Sequence, residues 1–235
     1  MLDIDNHEES RPTRSVSRRT LVKGAAWSIP VIAAASAIPH AAASVTCGDK
    51  VINWNQVPTG TAVTPGTLLS AAGSSVTATV TATGTTTLSD NLHVLAGPDG
   101  GLPGEFLNIG VPGGGQFEES VTVTFSQPVT NVSFTLGDID SYVDNAFQES
   151  VSLSPQSFSV VSLGSEVTGS GTSADPWLAT AGQNVEPTDS IGNVTVLYPG
   201  PLLSFTITLK DVFPSADGST GHSIDLFDIS FNDCP

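Results

Sequence analysis

The sequence predicts an all-β fold, a two-sheet antiparallel β-sandwich of the jelly-roll type with about nine strands, preceded by a signal peptide. Three observations support this prediction. Apolar and polar residues alternate with a period of two between Val51 and Phe231, and no segment there has a helical period. Glycine and proline residues divide the alternating region into short runs. A basic leader precedes this region, and two cysteines stand at its two ends.

Nine runs fit strands, and their alternation indicates which side chains face the core. The predicted strands are Val51–Val57, Val76–Thr83, Ser120–Phe125, Val132–Leu136, Ser150–Leu153, Phe158–Leu163, Val194–Leu197, Leu203–Leu209 and Ile224–Phe231. The predicted core faces are Val121, Val123 and Phe125; Val132, Phe134 and Leu136; Phe205, Ile207 and Leu209; and Phe227, Ile229 and Phe231. Thr and Ser occupy the alternate positions, which predicts a solvent face rich in hydroxyl groups. The glycine-rich stretch from Gly97 to Gly115 is predicted to be a loop.

The leader has the organisation of an export signal. Arg18 and Arg19, followed by Leu21 and Lys23, resemble the twin-arginine export motif. The apolar stretch behind them is too short and too weak for a stable membrane span, which needs roughly 20 apolar residues. It ends in Ala41 and Ala43, small residues at the two positions that a signal peptidase inspects, so cleavage is expected before Ser44.

These signals divide the chain into a signal peptide, residues 1–43, and a single β-sandwich domain, residues 44–235. The leader resembles those of actinobacterial surface proteins. This resemblance implies that the twin-arginine export machinery and a signal peptidase are partners. It also implies that the mature protein is extracellular, either free or held at the cell surface.

The mature chain is strongly acidic. The whole chain has 23 acidic residues, of which four precede residue 44, so 19 remain in the mature part against Lys50 and Lys210. Such a charge repels nucleic acids and anionic membrane surfaces. The composition therefore excludes nucleic-acid binding and favours solubility or cation binding.

Cys47 and Cys234 are the two cysteines of the chain. In an oxidising compartment their default state is a disulfide. A bridge between them would close almost the whole mature chain into one loop, and it requires the first and last strands to lie side by side.

Two segments resemble strands of bacterial secreted and surface β-sandwich modules. They run from Val121 to Asp140 (VTVTFSQPVTNVSFTLGDID) and from Ile224 to Phe231 (IDLFDISF). In such modules the first type of run precedes an acidic loop and the second closes the sheet. Because these modules occur in adhesins and as accessory domains of enzymes, the resemblance implies an architecture and a surface role, but no activity.

The candidate binding residues are four aspartates. Asp138 and Asp140 continue the alternation of Val132, Phe134 and Leu136, and Asp225 continues that of Phe227. All three aspartates are therefore expected on the core side of the sheet. Asp144 follows in the same acidic segment. Buried carboxylates need partners, and two lysines cannot serve them all. Two alternatives remain: the aspartates cap turns through backbone N–H groups, or they bind calcium, a cation that takes six to eight oxygen ligands.

The remaining candidates concern sugars and catalysis. Tyr142 and Trp177 fall in predicted loops, where exposed aromatic rings can stack on sugars, whereas Trp54 is predicted to lie in the core. His93 and His222 are the histidines of the mature chain, and no catalytic motif accompanies them. The sequence thus predicts a secreted or cell-surface protein without catalytic activity, acting in adhesion, envelope structure or ligand binding. The alternatives are a carbohydrate-binding module, with or without supporting calcium, that docks on cell-wall or other glycan surfaces, and a secreted hydrolase.

Overall fold

A computed structural model describes residues 48–84, 89–112, 117–142, 147–213 and 221–234. By its contacts the chain divides into residues 1–45 and residues 46–235, and all the described residues lie in the second unit. The predicted leader residues Arg18, Arg19, Ala41, Ala43 and Ser44, together with Cys47 and Asp144, lie outside the described residues.

The described residues are all-β and contain no α-helix, so the predicted class is confirmed. Every strand pairing is antiparallel. The described residues form fourteen strands: β1 Asp49–Ile52, β2 Leu69–Ser70, β3 Thr77–Gly84, β4 Val94–Ala96, β5 Glu105–Val111, β6 Glu118–Gly137, β7 Glu149–Ser154, β8 Ser159–Leu163, β9 Val167–Thr168, β10 Trp177–Ala179, β11 Val194–Tyr198, β12 Leu202–Asp211, β13 His222–Leu226 and β14 Ile229–Asn232. The predicted number of about nine strands is therefore wrong.

The strand β6 organises the sheet. Its first half pairs with β3 and β12, and its second half pairs with β11, β13 and β14. The alternation of residues predicts two strands in this segment, separated at Pro128. The chain stays extended there, with a register shift against β12, because proline lacks an N–H group but tolerates extended backbone at an irregular pairing.

The sheet curls so that the two halves of β6 enclose one core. Phe134, in the second half, stacks on Phe205 of β12 at 4.4 Å between ring centroids. Phe125, in the first half, lies 5.4 Å from the ring of Phe231 in β14. Each half therefore packs against the strand that pairs with the other half. Of the predicted core residues, all except Phe227 belong to this core.

The solvent face of the first half carries rows of hydroxyl groups, as its alternation predicts. Thr122 of β6 lies opposite Thr206 of β12, with their Oγ1 atoms 2.8 Å apart. Ser120 and Thr208 repeat this contact at 2.9 Å. The hydroxyls satisfy one another across the strands, and the same face also carries the ion pair of Glu118 and Lys210 at the end of the row.

The strand β5 lies inside the stretch that was predicted to be a glycine-rich loop. It pairs with β13 and is buried on both faces from Phe106 to Val111. A strand buried on both sides has no alternation of apolar and polar residues, which is why its sequence lacks the period of a strand.

The first and last described strands lie side by side, as a Cys47–Cys234 bridge would require. The strand β1 pairs with β14, and Asp49 lies opposite Asn232. Residues 54–56 after β1 form a short 3-10 helix instead of the predicted continuation of the strand, and Trp54 in it is buried in the core.

Candidate functional site

A bulge between β13 and β14 decides where Asp225 lies. Leu226 and Ile229 both face the core although they are three residues apart, so the alternation is broken at Phe227 and Asp228. Asp225 pairs with Gly137, and directly opposed residues of an antiparallel pair point to the same face. Because its neighbour Leu226 faces the core, Asp225 lies on the outer face of the sheet. The predicted core-side position of Asp225 is wrong.

A second irregularity, at the end of β6, redirects the following aspartates. Asp138 has a φ of 60°, in the left-handed region that aspartate tolerates better than most residues. Ile139, which the regular alternation would place on the outer face, instead joins the hydrophobic core. The parity of Val132, Phe134 and Leu136 therefore does not extend to Asp138 and Asp140, and that part of the prediction is wrong.

Aromatic rings and the turn after β4 cover the outer face near Gly137. A Cβ on Gly137 would lie 2.7 Å from the Phe227 ring, so this ring packs directly over the glycine. Phe227 also contacts Phe106 of β5 at 5.5 Å between ring centroids. Phe227 was predicted to face the core, and the bulge places it in this separate outer layer instead.

The turn after β4 completes the cover. Gly100 and Gly101 have φ values of 51° and 66°, the conformation of a tight hairpin turn that glycine favours, and the Asp99 carboxylate accepts a 2.9 Å hydrogen bond from the Gly100 amide. The Gly101 amide donates to the carbonyl of Pro187. The Asn193 side chain donates a 2.7 Å hydrogen bond to the Gly100 carbonyl, and its Oδ1 atom lies toward Gly137.

Five polar side chains thus gather around Gly137, and we call them the outer polar cluster. Asn108 of β5 lies opposite Asp225 of β13, and Asn193 lies between the turn at Gly100 and the end of β6. The charges of Asp99 and Asp138 act on Asp225 and on each other. The members of the cluster are Asp99, Asn108, Asp138, Asn193 and Asp225.

Burial and mutual repulsion both disfavour the charged forms of the carboxyl groups in the outer polar cluster. Burial, followed by the charges of Asp140 and Asp99, raises the pKa of Asp138 to about 8. Burial, followed by the charges of Asp99 and Asp138, raises the pKa of Asp225 well above its ordinary value. Both lysines are engaged elsewhere: Lys50 lies 3.9 Å from Asp233, and Lys210 lies 2.7 Å from Glu118. No basic side chain forms an ion pair with the cluster among the described residues.

Three buried oxygen atoms of this cluster have no hydrogen-bond partner among the described residues. They are Asp225 Oδ2, Asn108 Oδ1 and Asn193 Oδ1. The three residues are only 2%, 6% and 8% exposed, respectively. The two carboxamide oxygens are acceptors, as is Asp225 Oδ2 when its carboxyl group is ionised, and buried acceptors without partners are unusual in folded proteins. These three atoms are therefore candidate partners for a donor or a cation.

Asp140 has a different environment and fits the backbone alternative. Its Oδ2 atom accepts a 2.9 Å hydrogen bond from the Val185 amide. Burial raises the pKa of Asp140 to about 6, although the Val185 hydrogen bond acts in the opposite direction. The amide of Asp140 donates to Glu149 Oε2 at 3.0 Å, so this residue joins the end of β6 to the start of β7.

Glu149 leads to a second buried group that sequence analysis did not identify. His222 Nδ1 lies 3.0 Å from Glu149 Oε1, and His222 Nε2 lies 3.7 Å from Asp211 Oδ2. The His222 ring stacks on Phe147 at 4.6 Å and 4°. The side chains of His222, Glu149 and Asp211 are at most 1% exposed. They connect the ends of β7, β12 and β13 in the interior of the protein.

Burial determines the charge of this group. Burial lowers the pKa of His222 to about 4. Burial and the charges of Asp140 and Asp138 raise the pKa of Glu149 well above its ordinary value. Both shifts favour the neutral forms of the two side chains over an ion pair.

The predicted glycan contacts differ in exposure. Tyr142 is 45% exposed and stacks on Phe147 at 6.3 Å. Trp177, which was predicted to lie in a loop, begins β10 and is fully buried against Phe158. Trp177 therefore has no ring face available to a sugar, because the curled sheet closes over it.

Oxygen atoms are the ligands that the outer polar cluster offers to a metal. Among the described residues, no three His, Cys, Asp or Glu side chains are already gathered at the spacing of a metal shell. The oxygens of the cluster include two carboxamides beside three carboxylates, a chemistry that suits a hard cation rather than a transition metal.

Comparisons with known proteins return little. No protein-family model matches the sequence, and no curated protein matches it. The solved structures include one similar chain, the adhesin domain of PrgB from Enterococcus faecalis, with 12% sequence identity and a TM-score of 0.35. The similarity covers 66% of this chain and 56% of that chain, so this chain spans little more than half of the length of that structure.

The described part of the chain contains no helix that is long and apolar enough to cross a membrane.

Proposed function

We propose that residues 44–235 form an exported, extracellular β domain that acts by binding, in adhesion, envelope structure or ligand display, and not by catalysis. The observation that carries the proposal is the burial of His222 and of the two carboxyl groups beside it. His222 and its two carboxylate neighbours are at most 1% exposed. A general acid or base must come within hydrogen-bond reach of its substrate, which this burial prevents.

The surface chemistry also supports a binding role. The rows of Thr and Ser on the outer face of the first half of the sheet are uncharged and hydrogen-bonded to one another. His93, the other histidine of the mature chain, contacts the Asn91 carbonyl, and no ion pair joins it to a carboxylate among the described residues. These features fit a protein that presents a rigid surface.

We also interpret the curled sheet as a two-sheet sandwich of the jelly-roll type. The contacts of Phe134 with Phe205 and of Phe125 with Phe231 support this interpretation, because they join strands that would belong to opposite sheets. The long strand β6 would pass from one sheet to the other near Pro128, as strands do at the corners of sandwiches.

Glycan binding is the second candidate, and the exposed ring of Tyr142 favours it. A sugar-binding surface usually presents more than one aromatic ring, and the burial of Trp177 leaves Tyr142 as its one predicted partner in the described structure. We therefore rank this function below general surface adhesion.

A binding and release assay tests the proposal. The purified mature chain is incubated with washed cell envelopes and with insoluble polysaccharides, and both the bound protein and the soluble products are measured over time. We expect saturable binding to envelopes without release of products. Tyr142→Ala distinguishes the two candidates, since it reduces binding only if glycan stacking contributes.

Two outcomes contradict the proposal. Absence of saturable binding to every surface would exclude an adhesion role. Time-dependent release of soluble sugars or peptides that His93→Ala or His222→Ala abolishes would identify the chain as a hydrolase.

A further inference from the structure

We propose that the outer polar cluster is a calcium-binding site, formed by the carboxylates of Asp99, Asp138 and Asp225 and by the side-chain oxygens of Asn108 and Asn193. This inference goes beyond the binding role above and does not depend on which surface the protein recognises. It also changes the predicted ligand set: Asp140 is excluded, Asp144 lies outside the described residues, and Asp99, Asn108 and Asn193 are included.

The first line of evidence is the convergence of the backbone. Asp225 lies opposite Gly137, Asn108 lies opposite Asp225, and Asp138 follows Gly137. The turn at Asp99 and Gly100 is held over this point by Asn193. Five places in the chain, the turn after β4, β5, the end of β6, Asn193 and β13, therefore meet around Gly137 on the outer face.

The second line of evidence is independent of charge. Asp225 Oδ2, Asn108 Oδ1 and Asn193 Oδ1 are buried acceptors without partners. The two carboxamides are oriented by their own donors, since Asn108 Nδ2 lies 2.8 Å from Ser223 Oγ and Asn193 Nδ2 lies 2.7 Å from the Gly100 carbonyl. Their oxygens are thus turned away from these contacts, and a cation would satisfy all three acceptors at once.

Calcium matches this set better than other cations. It accepts carboxylate and carboxamide oxygens in flexible geometry and completes its six to eight ligands with water, whereas magnesium requires a near-ideal octahedron. The carboxylates repel one another in their charged forms, and they are not already gathered in the geometry of a metal shell. A bound cation offsets this repulsion and allows them to move inward.

A cavity lies beside the cluster. It has a volume of about 410 Å³ and is lined in part by Leu102, Thr135 and Asn193. Asn193 belongs to both the cavity and the cluster, so this cavity is the side from which we expect an ion to approach.

Calorimetric titration of the mature chain with calcium chloride, after treatment with a chelator, tests the site. We expect a dissociation constant of about 10⁻⁴–10⁻³ M, the range of extracellular calcium modules. At a hundredfold excess over that constant, the melting temperature should rise by about 5–10 °C. Magnesium at the same concentration should produce a much smaller rise.

Variants of the ligands identify the site. Asp225→Asn preserves shape but removes a charge, and it should weaken calcium binding at least about tenfold because affinity depends on ligand charge. Asp99→Asn should act in the same direction, and it keeps the turn intact because asparagine also suits a tight turn before glycine. Asp175→Asn is the matched control, since Asp175 is exposed and remote in sequence, and it should bind calcium like the wild type.

Wild-type protein that shows neither heat nor a change in melting temperature up to 10 mM calcium, roughly ten times the weakest affinity expected, would overturn the proposal. Equal affinities of the wild type, Asp225→Asn and Asp99→Asn would also overturn it, because the ion would then bind elsewhere. In the chelator alone, Asp225→Asn should melt no lower than the wild type, since it removes a buried and uncompensated charge.

Discussion

At the scale of single residues, the chemistry of this protein depends on how each buried carboxyl group is satisfied. Asp140 accepts from the Val185 amide, and Glu149 contacts His222, whereas Asp225 retains an oxygen without a partner among the described residues. The same residue type therefore has a structural role at one position and a proposed ligand role at another. Burial raises the pKa in both cases, so the pKa alone does not distinguish them; the hydrogen bonds do.

The Glu149–His222 contact leads to a prediction about pH. Because burial lowers the pKa of His222 to about 4, the imidazole should stay neutral when the pH falls from 7 to 5. Between the unfolded value of about 6.5 and the folded value, the unfolded chain binds a proton that the folded chain does not, so this residue reduces stability as the pH falls through that window. NMR titration of the imidazole signals measures the pKa directly. A midpoint at or above 6.5 would show instead an ion pair with an ionised Glu149.

At the scale of secondary-structure elements, two irregularities position the outer polar cluster. The left-handed Asp138 ends β6, and the bulge at Phe227 and Asp228 separates β13 from β14. Each shifts the alternation by one residue, which moves side chains from one face of a sheet to the other. Without the bulge Asp225 would face the core, where a charge without a partner is far more costly.

The pairing of β1 with β14 supports the predicted disulfide. Asp49 lies opposite Asn232, and the same register continued by two residues along each strand would set position 47 opposite position 234. We expect a Cys47–Cys234 bridge, visible by mass spectrometry as two cysteines that resist alkylation until the protein is reduced. Cys234→Ser should lower the free energy of unfolding by up to about 5 kcal/mol, the chain-entropy value for so long a loop. Two thiols that alkylate freely in the folded, secreted protein would contradict the bridge.

At the scale of the whole molecule, the distribution of charge agrees with the proposed export. Five of the seven basic residues precede residue 24, whereas 19 acidic residues follow residue 43. An export signal needs the basic group only until cleavage, and removing it leaves a strongly acidic domain. Such a domain resists association with nucleic acids and anionic membranes, and it attracts cations.

Export can be tested directly. Replacing Arg18 and Arg19 with lysines should retain the precursor in the cytoplasm, because the export receptor recognises the arginine pair. Fractionation of the cells and immunoblotting of the medium measure this retention, and N-terminal sequencing of the wild-type mature protein should begin at Ser44. Normal secretion of the double variant would show that another pathway exports the chain.

The sequence alone determined the features that depend on regular backbone. The alternation of β6 and β12 placed Val121, Phe134 and Ile207 in the core correctly, because each strand is regular over the residues concerned. Charge balance likewise indicated that the two lysines could not neutralise the buried acids, and the structure pairs them with Asp233 and Glu118 instead. These inferences need only local geometry or a count of residues.

Only the tertiary structure decided the composition of the outer polar cluster. Asp99, Asn108 and Asn193 come from segments that are distant in sequence, and pairing of β5 with β13 and packing of the turn at Gly100 bring them together. Parity failed for Asp138 and Asp225 because an irregular residue lies between each of them and the core residues whose alternation was extended to them. Alternation describes a strand while its backbone remains regular, and the proposed calcium site lies where two strands cease to be regular.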